Sequence, residues 1–138
     1  MLKHLAITAC IFAAPAISVA QIASQMGAPV SAEKPFVKKR YTIHGSAKVE
    51  QIDGETRLVF SEDFKTKSGP DLKLYLSKMP LSTLSAQDID QNALRLSVLK
   101  SHRGTQSYVI PADIDISEYE SVVIQCEAYT VLWGGFDL

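Results

Sequence analysis

Cysteine is nearly absent from this chain: 138 residues hold two, Cys10 and Cys126. Two thiols cannot staple a small fold, and without a CxxC pair there is no dithiol exchange of the usual kind. An excess of basic charge is missing as well. Lys plus Arg number 14 against 15 Asp plus Glu, a formal charge of −1, which argues against a nucleic-acid partner. No apolar run approaches the roughly 20 residues that cross a bilayer as a helix. GxGxxG, P-loop, HExxH and GxSxG patterns are all lacking, so the common nucleotide-binding, metalloprotease and hydrolase chemistries have no motif behind them. Internal repeats and low-complexity tracts are also missing.

What is present begins with an export signature. Lys3 and His4 precede the apolar stretch Leu5–Ala14, Pro15 punctuates it, and Ser18-Val19-Ala20 is a small-x-small cleavage pattern before Gln21. Residues 1–20 therefore read as a signal peptide, and a periplasmic or secreted location is expected. Ile7-Thr8-Ala9-Cys10 has a faint lipoprotein cleavage pattern, but few apolar residues precede Cys10, so lipidation is the minor option. Cleavage removes Cys10 and leaves Cys126 alone in an oxidising compartment, where a single thiol calls for burial, intermolecular pairing or chemistry. Residues 21–40 carry Gly27, Pro29 and Pro35 without a sustained apolar period and read as a linker ending in the solvated basic run Lys38-Lys39-Arg40.

From Tyr41 the pattern has period 2. Ile43, Gly45, Ala47 and Val49 alternate with His44, Ser46, Lys48 and Glu50. Asp53-Gly54 is a hairpin signal, and Thr56–Ser61 returns with Leu58 and Phe60 on one face. A turn-rich loop, Asp63–Asp71, leads to the cleanest strand, in which Leu72, Leu74 and Leu76 oppose Lys73, Tyr75 and Ser77. Met79–Asn92 is ambiguous, since Ser85 and Asp88 could cap a helix with few apolar positions. Leu94, Leu96 and Val98 mark another strand. Ser101–Gly104 turns into Thr105–Ile110, Asp113–Tyr119 has room for one helical turn, and Ser121–Glu127 and Tyr129–Trp133 finish the pattern before Gly134-Gly135. The expected fold is all-β: an antiparallel β-sandwich or small barrel of about seven strands, with at most a short helical turn or two, over residues 41–138.

Three blocks of this sequence resemble the DM-thirteen domain family. They are Asp63-Phe64-Lys65-Thr66 with Gly69-Pro70-Asp71-Leu72-Lys73-Leu74-Tyr75-Leu76-Ser77; Leu99-Lys100, Gly104, Gln106, Tyr108 and Ile110-Pro111; and Tyr119–Cys126 with Tyr129, Val131 and Leu138. The chain departs from the family pattern at Gly135-Phe136-Asp137-Leu138, where an Ala-x-Leu finish is usual. The resemblance implies an extracytoplasmic β domain, found alone in bacteria and beside haem-binding DOMON domains in animals. It also implies electron transfer or hydroxylation chemistry centred on a cysteine that maps onto Cys126. These 138 residues contain no DOMON segment, so the implied role calls for a separate redox or envelope protein partner.

Read from the residues alone, Cys126 shares a face with Val122 and Ile124 and is a core cysteine, a small hydrophobe. Glu127 falls on the opposite face and cannot simply be its base. A copper site would have to gather Cys126 with His44, His102 and Met79, and their spacing gives that no support, nor haem ligation. Asp63, Asp71, Asp113 and Asp115 sit in turns, where Asp caps backbone N–H groups more often than it binds calcium. Tyr75, Tyr108, Tyr129 and Trp133 suit core or interface packing. The expectation is a redox or electron-transfer module of the cell envelope centred on Cys126, with no autonomous enzyme activity, no metal and no cofactor implied by the residues. The alternative is a non-enzymatic β-sandwich binding module in which Cys126 is buried core.

Overall fold

The computed structural model describes residues 31–138; the expected signal peptide lies outside the described residues. In chain order the strands are β1 (Lys34–Pro35), β2 (Val37–Lys38), β3 (Ile43–His44), β4 (Ser46–Ile52), β5 (Glu55–Phe60), β6 (Lys65–Thr66), β7 (Leu72–Ser77), β8 (Ala93–Val98), β9 (Gln106–Ile110), β10 (Ser121–Cys126) and β11 (Val131–Asp137). They form a four-stranded sheet β1-β4-β5-β9, a five-stranded sheet β2-β11-β10-β7-β8 and the pair β3-β6. Every pairing is antiparallel. The two larger sheets pack face to face as a sandwich rather than closing into a barrel.

Local chemistry explains the joints. Asp53 and Gly54 both have positive φ, 51° and 79°, the geometry a two-residue hairpin turn needs. β4 and β5 then pair from Ala47↔Phe60 to Ile52↔Glu55. Gly45 interrupts the first period-2 run: its φ is +89°, and a Cβ there would stand 2.8 Å from the Phe64 backbone. The chain turns at that point from β3 in the small pair to β4 in the four-stranded sheet, so the single strand expected over Ile43–Glu50 is two.

The main core lies between the sheets. Ala47, Val49, Leu58, Phe60, Tyr108 and Ile110 face Leu72, Leu74, Leu76, Val122, Ile124, Cys126, Trp133 and Phe136 across it. A second cluster, Tyr75, Leu81, Leu84, Ile89, Val123 and Leu132, fills the other face of the five-stranded sheet. The ambiguous segment Met79–Asn92 covers that face with a 3₁₀ turn, Ala86–Asp88, and a one-turn helix α1, Ile89–Asn92. Asp88 Oδ2 accepts from the Ser85 N–H at 2.9 Å and from its hydroxyl at 2.7 Å, so the anticipated cap forms on a helix of minimal length.

Several expectations need correcting. The linker expected over residues 21–40 supplies β1 and β2, one edge strand for each large sheet, and Phe36 between them is core. Its ring lies 5.0, 5.2 and 5.4 Å from those of Phe60, Phe64 and Phe136. Tyr75, opposite the leucines of its strand, is buried in keeping with its expected core or interface packing, because Met79–Asn92 closes over it. The strand at β8 exists, but Leu94 and Val98 are exposed. Its register slips between Leu74 and Tyr75, and only Leu96 packs against the main core. Gly134 and Gly135 do not close the last strand; they sit inside β11. A Cβ on Gly135 would meet the Val122 carbonyl oxygen at 2.1 Å.

Phe36→Ala should lower stability by about 3–5 kcal/mol, since the cavity it leaves is walled by three rings that cannot all collapse inward. A chain beginning at Tyr41 should have a urea midpoint lower still. Equal midpoints for that truncation and the longer chain would show that β1 and β2 are ornamental.

Candidate functional site

Alternation along β10 turns Val122, Ile124 and Cys126 toward the main core and Val123 and Gln125 toward the second cluster. Cys126 is fully buried and unpaired, at the end of the strand, with Leu72 opposite it on β7 and Val131 opposite it on β11. The β11 register shifts between Ile124 and Gln125, so Trp133 is the extra residue there and its indole also enters the main core. The thiol is thus walled by apolar side chains and closed off from solvent.

On the outer side of the same strand end, charges converge. Glu127 Oε2 takes the Lys73 ammonium at 2.6 Å, the Tyr75 hydroxyl at 3.0 Å and the Arg95 guanidinium at 3.4 Å. Lys73 also reaches Asp71 at 3.1 Å. Lys73 and Tyr75 come from β7, Arg95 from β8, and Glu127 follows β10, so one carboxylate ties three adjacent chain segments. The Lys73 hydrogen bond, then that of Tyr75, holds the Glu127 carboxyl below its ordinary value. Burial first, and then the bond to Glu127, pushes the Tyr75 phenol up to about 12. Sequence spacing gave no sign of this cluster beyond placing Glu127 opposite Cys126, because Tyr75 and Glu127 are far apart in the chain.

The remaining candidates scatter. His44 and His102 are exposed, on β3 and in the turn before β9. Met79 packs against the second cluster, across the sheet from Cys126. Among the described residues no group of three or more His, Cys, Asp and Glu is arranged around a common point. Asp63 accepts from the Ser61 hydroxyl at 2.5 Å and Asp115 from the Ser117 N–H at 3.0 Å, both local turn bonds. Asp71 serves Lys73, and Asp113 is exposed. Tyr108 and Trp133 are buried as expected, whereas Tyr129 is 71% exposed.

One aromatic contact connects the core to the surface. The half-buried Tyr41 ring packs tilted against Trp133, with ring centres 4.1 Å apart, and the indole N–H of Trp133 donates to Thr66 Oγ1 at 3.0 Å. The backbone N–H groups of Lys39, Arg40 and Tyr41 all converge on the Trp133 carbonyl, at 3.1 to 3.3 Å. The basic run is therefore anchored along β11 and does not flank the fold loosely.

The model of the family described as Electron transfer DM13 matches residues 35–138, which includes both β10 and Phe36 between the two edge strands. No curated protein and no solved structure matches the chain.

A carboxyl with a depressed pKa adds stability above its unfolded value, 4.5 for Glu127, and that share is lost as pH falls through the folded value. Glu127→Gln should therefore narrow the gap between urea midpoints measured at pH about 7 and pH about 3. Some gap should persist, because hydrogen bonds from Ser85 and Ser117 likewise depress Asp88 and Asp115. An unchanged gap would mean that Glu127 is not held by its neighbours. At the alkaline end the sign reverses: Tyr75's share is present below its ordinary 10.0 and fades as pH climbs toward 12.

Proposed function

Because the chain belongs to the Electron transfer DM13 family, we propose that it works as an electron-transfer module of the cell envelope, exported through residues 1–20, with Cys126 as its redox residue. The observation that shapes this reading is the burial of the thiol. Disulfide exchange and sulfur nucleophilicity need a thiolate that reagents can reach, so Cys126 is a poor group-transfer centre. Electrons tunnel through packed side chains; atoms do not. A donor or acceptor protein that docks outside can exchange an electron with the core through Trp133 and Tyr41 without touching sulfur. On this reading the chain has no substrate of its own and acts beside a separate redox partner.

A second reading has an observation of its own. A thiol that loses an electron must also lose its proton, and Glu127, the carboxylate next in the chain, binds Lys73 and Tyr75 on the opposite face. That favours a non-enzymatic binding module in which Cys126 is a core residue.

Cyclic voltammetry of the folded protein and of its Cys126→Ala variant separates the two. A reversible wave that disappears in a still-folded variant supports electron transfer through Cys126. Identical traces, with reduced stability in the variant, support the binding module. Cys126→Ser should lose about 1–3 kcal/mol in either case, because its hydroxyl is buried without a partner. Maleimide should label the native thiol only after denaturation, and fast native labelling would contradict the sealed core on which both readings stand.

A further inference from the structure

The cations of this protein are unevenly partnered. Lys48, Arg57, Lys73, Lys78 and Arg95 each pair with a carboxylate. Among the remaining cations, for which the described residues offer no carboxylate partner, Arg40, Lys65, Lys67 and Arg103 gather on one surface. Lys65 on β6 stands opposite His44 on β3 and, on its other side, bridges to Arg103. These three exposed side chains therefore project side by side. Like charges on directly opposed positions work against folding, and no acid has been placed to relieve them. Tyr41, Thr42, His44, Lys65, Thr66 and Lys67 line a depression of about 330 Å³ there. Its floor is polar and aromatic, with no Leu, Ile, Val, Met or Phe. The Lys67 ammonium lies 4.9 Å and the Arg40 guanidinium 6.0 Å from the centre of the Tyr41 ring, and that ring packs against Trp133 of the main core.

We propose that this basic surface around Tyr41 docks the acidic face of a partner protein. Charge complementarity over three neighbouring chain segments suits a broad carboxylate-bearing surface better than one small anion. Because the whole chain is slightly acidic, with a formal charge of −1, attraction to such a partner is local. It turns the molecule so that Tyr41 leads, the arrangement that raises encounter rates and fixes orientation. The lining offers no aliphatic anchor for insertion among lipid tails. The idea rests on the electron-transfer reading only for why the docked face should carry an aromatic contact to the core.

Poly-L-glutamate serves as the acidic probe, with phosphatidylglycerol vesicles and inorganic phosphate as alternatives, in binding titrations of the folded protein. Poly-L-glutamate should bind and should weaken by at least about tenfold when salt rises from about 0.02 M to about 0.5 M. The double variant Lys65→Glu, Lys67→Glu should weaken binding by a similar factor. Lys65→Gln, Lys67→Gln should show an intermediate loss, with circular dichroism confirming the fold. Reversal at Lys48 and Lys78 should change binding less than about twofold. Failure of poly-L-glutamate to bind, or binding indifferent to Lys65 and Lys67, overturns the proposal. So does tighter binding to vesicles or phosphate that the same variants abolish, which would assign the surface to lipid headgroups or a small anion. A redox-silent Cys126 leaves these titrations unmoved, so docking and electron transfer fail separately.

Discussion

A strand with apolar side chains on both faces has to be covered twice, and β10 is that strand here. All six of its residues are buried, with the four-stranded sheet over Val122, Ile124 and Cys126 and the segment Met79–Asn92 over Val123 and Gln125. Its two neighbours then have to approach closely. β7 pairs with it along its whole length, and β11 approaches it where Gly135 carries no side chain to strike Val122 and Val123, while Gly134 leaves room on the other side for Val37 and Ile43. The small pair, the short helix and the edge strands are arranged around this double covering.

The same constraint sorts the chemistry. At the end of β10, adjacent residues of opposite character face opposite ways: Cys126 into an apolar core, Glu127 into a knot of Lys73, Tyr75 and Arg95. The sheet stands between thiol and carboxylate, so the pair is not an acid–base couple despite its adjacency in sequence. Charge on the outer face fastens the strand end and so helps to keep the thiol enclosed. Unpaired Arg40, Lys65, Lys67 and Arg103 lie apart from that knot, around Tyr41, where the contact with Trp133 links the core to the surface.

Much of this was legible in the order of residues, and the exceptions have identifiable causes. The Leu72, Leu74, Leu76 alternation, the Asp53-Gly54 hairpin and the inward turn of Cys126 are local properties that a strand period or a turn geometry enforces. Phe36 was not legible, because strands of two residues have no period to detect, and its role as the hub of four phenyl rings is entirely tertiary. Tyr75 alternates with core leucines, so it faces away from the main core, and the covering by Met79–Asn92 is what buries it. Leu94 and Val98 alternate correctly, yet β8 is an edge strand whose register slips by a bulge. The Glu127 cluster depends on pairing between β7, β8 and β10, which spacing along the chain does not reveal. A basic run read as a solvated flank is instead hydrogen-bonded to the Trp133 carbonyl and borders the basic surface.

Enclosure of β10 is the central claim, and amide hydrogen exchange across Val122–Cys126 in low denaturant tests it most directly. If the strand is sealed on both faces, these amides exchange only through global opening. Their exchange free energies then fall with denaturant at the slope of equilibrium unfolding. Exchange of the Cys126 amide with little or no denaturant dependence would reveal a local opening at the strand end, and the thiol would then be reachable from solvent in the native protein.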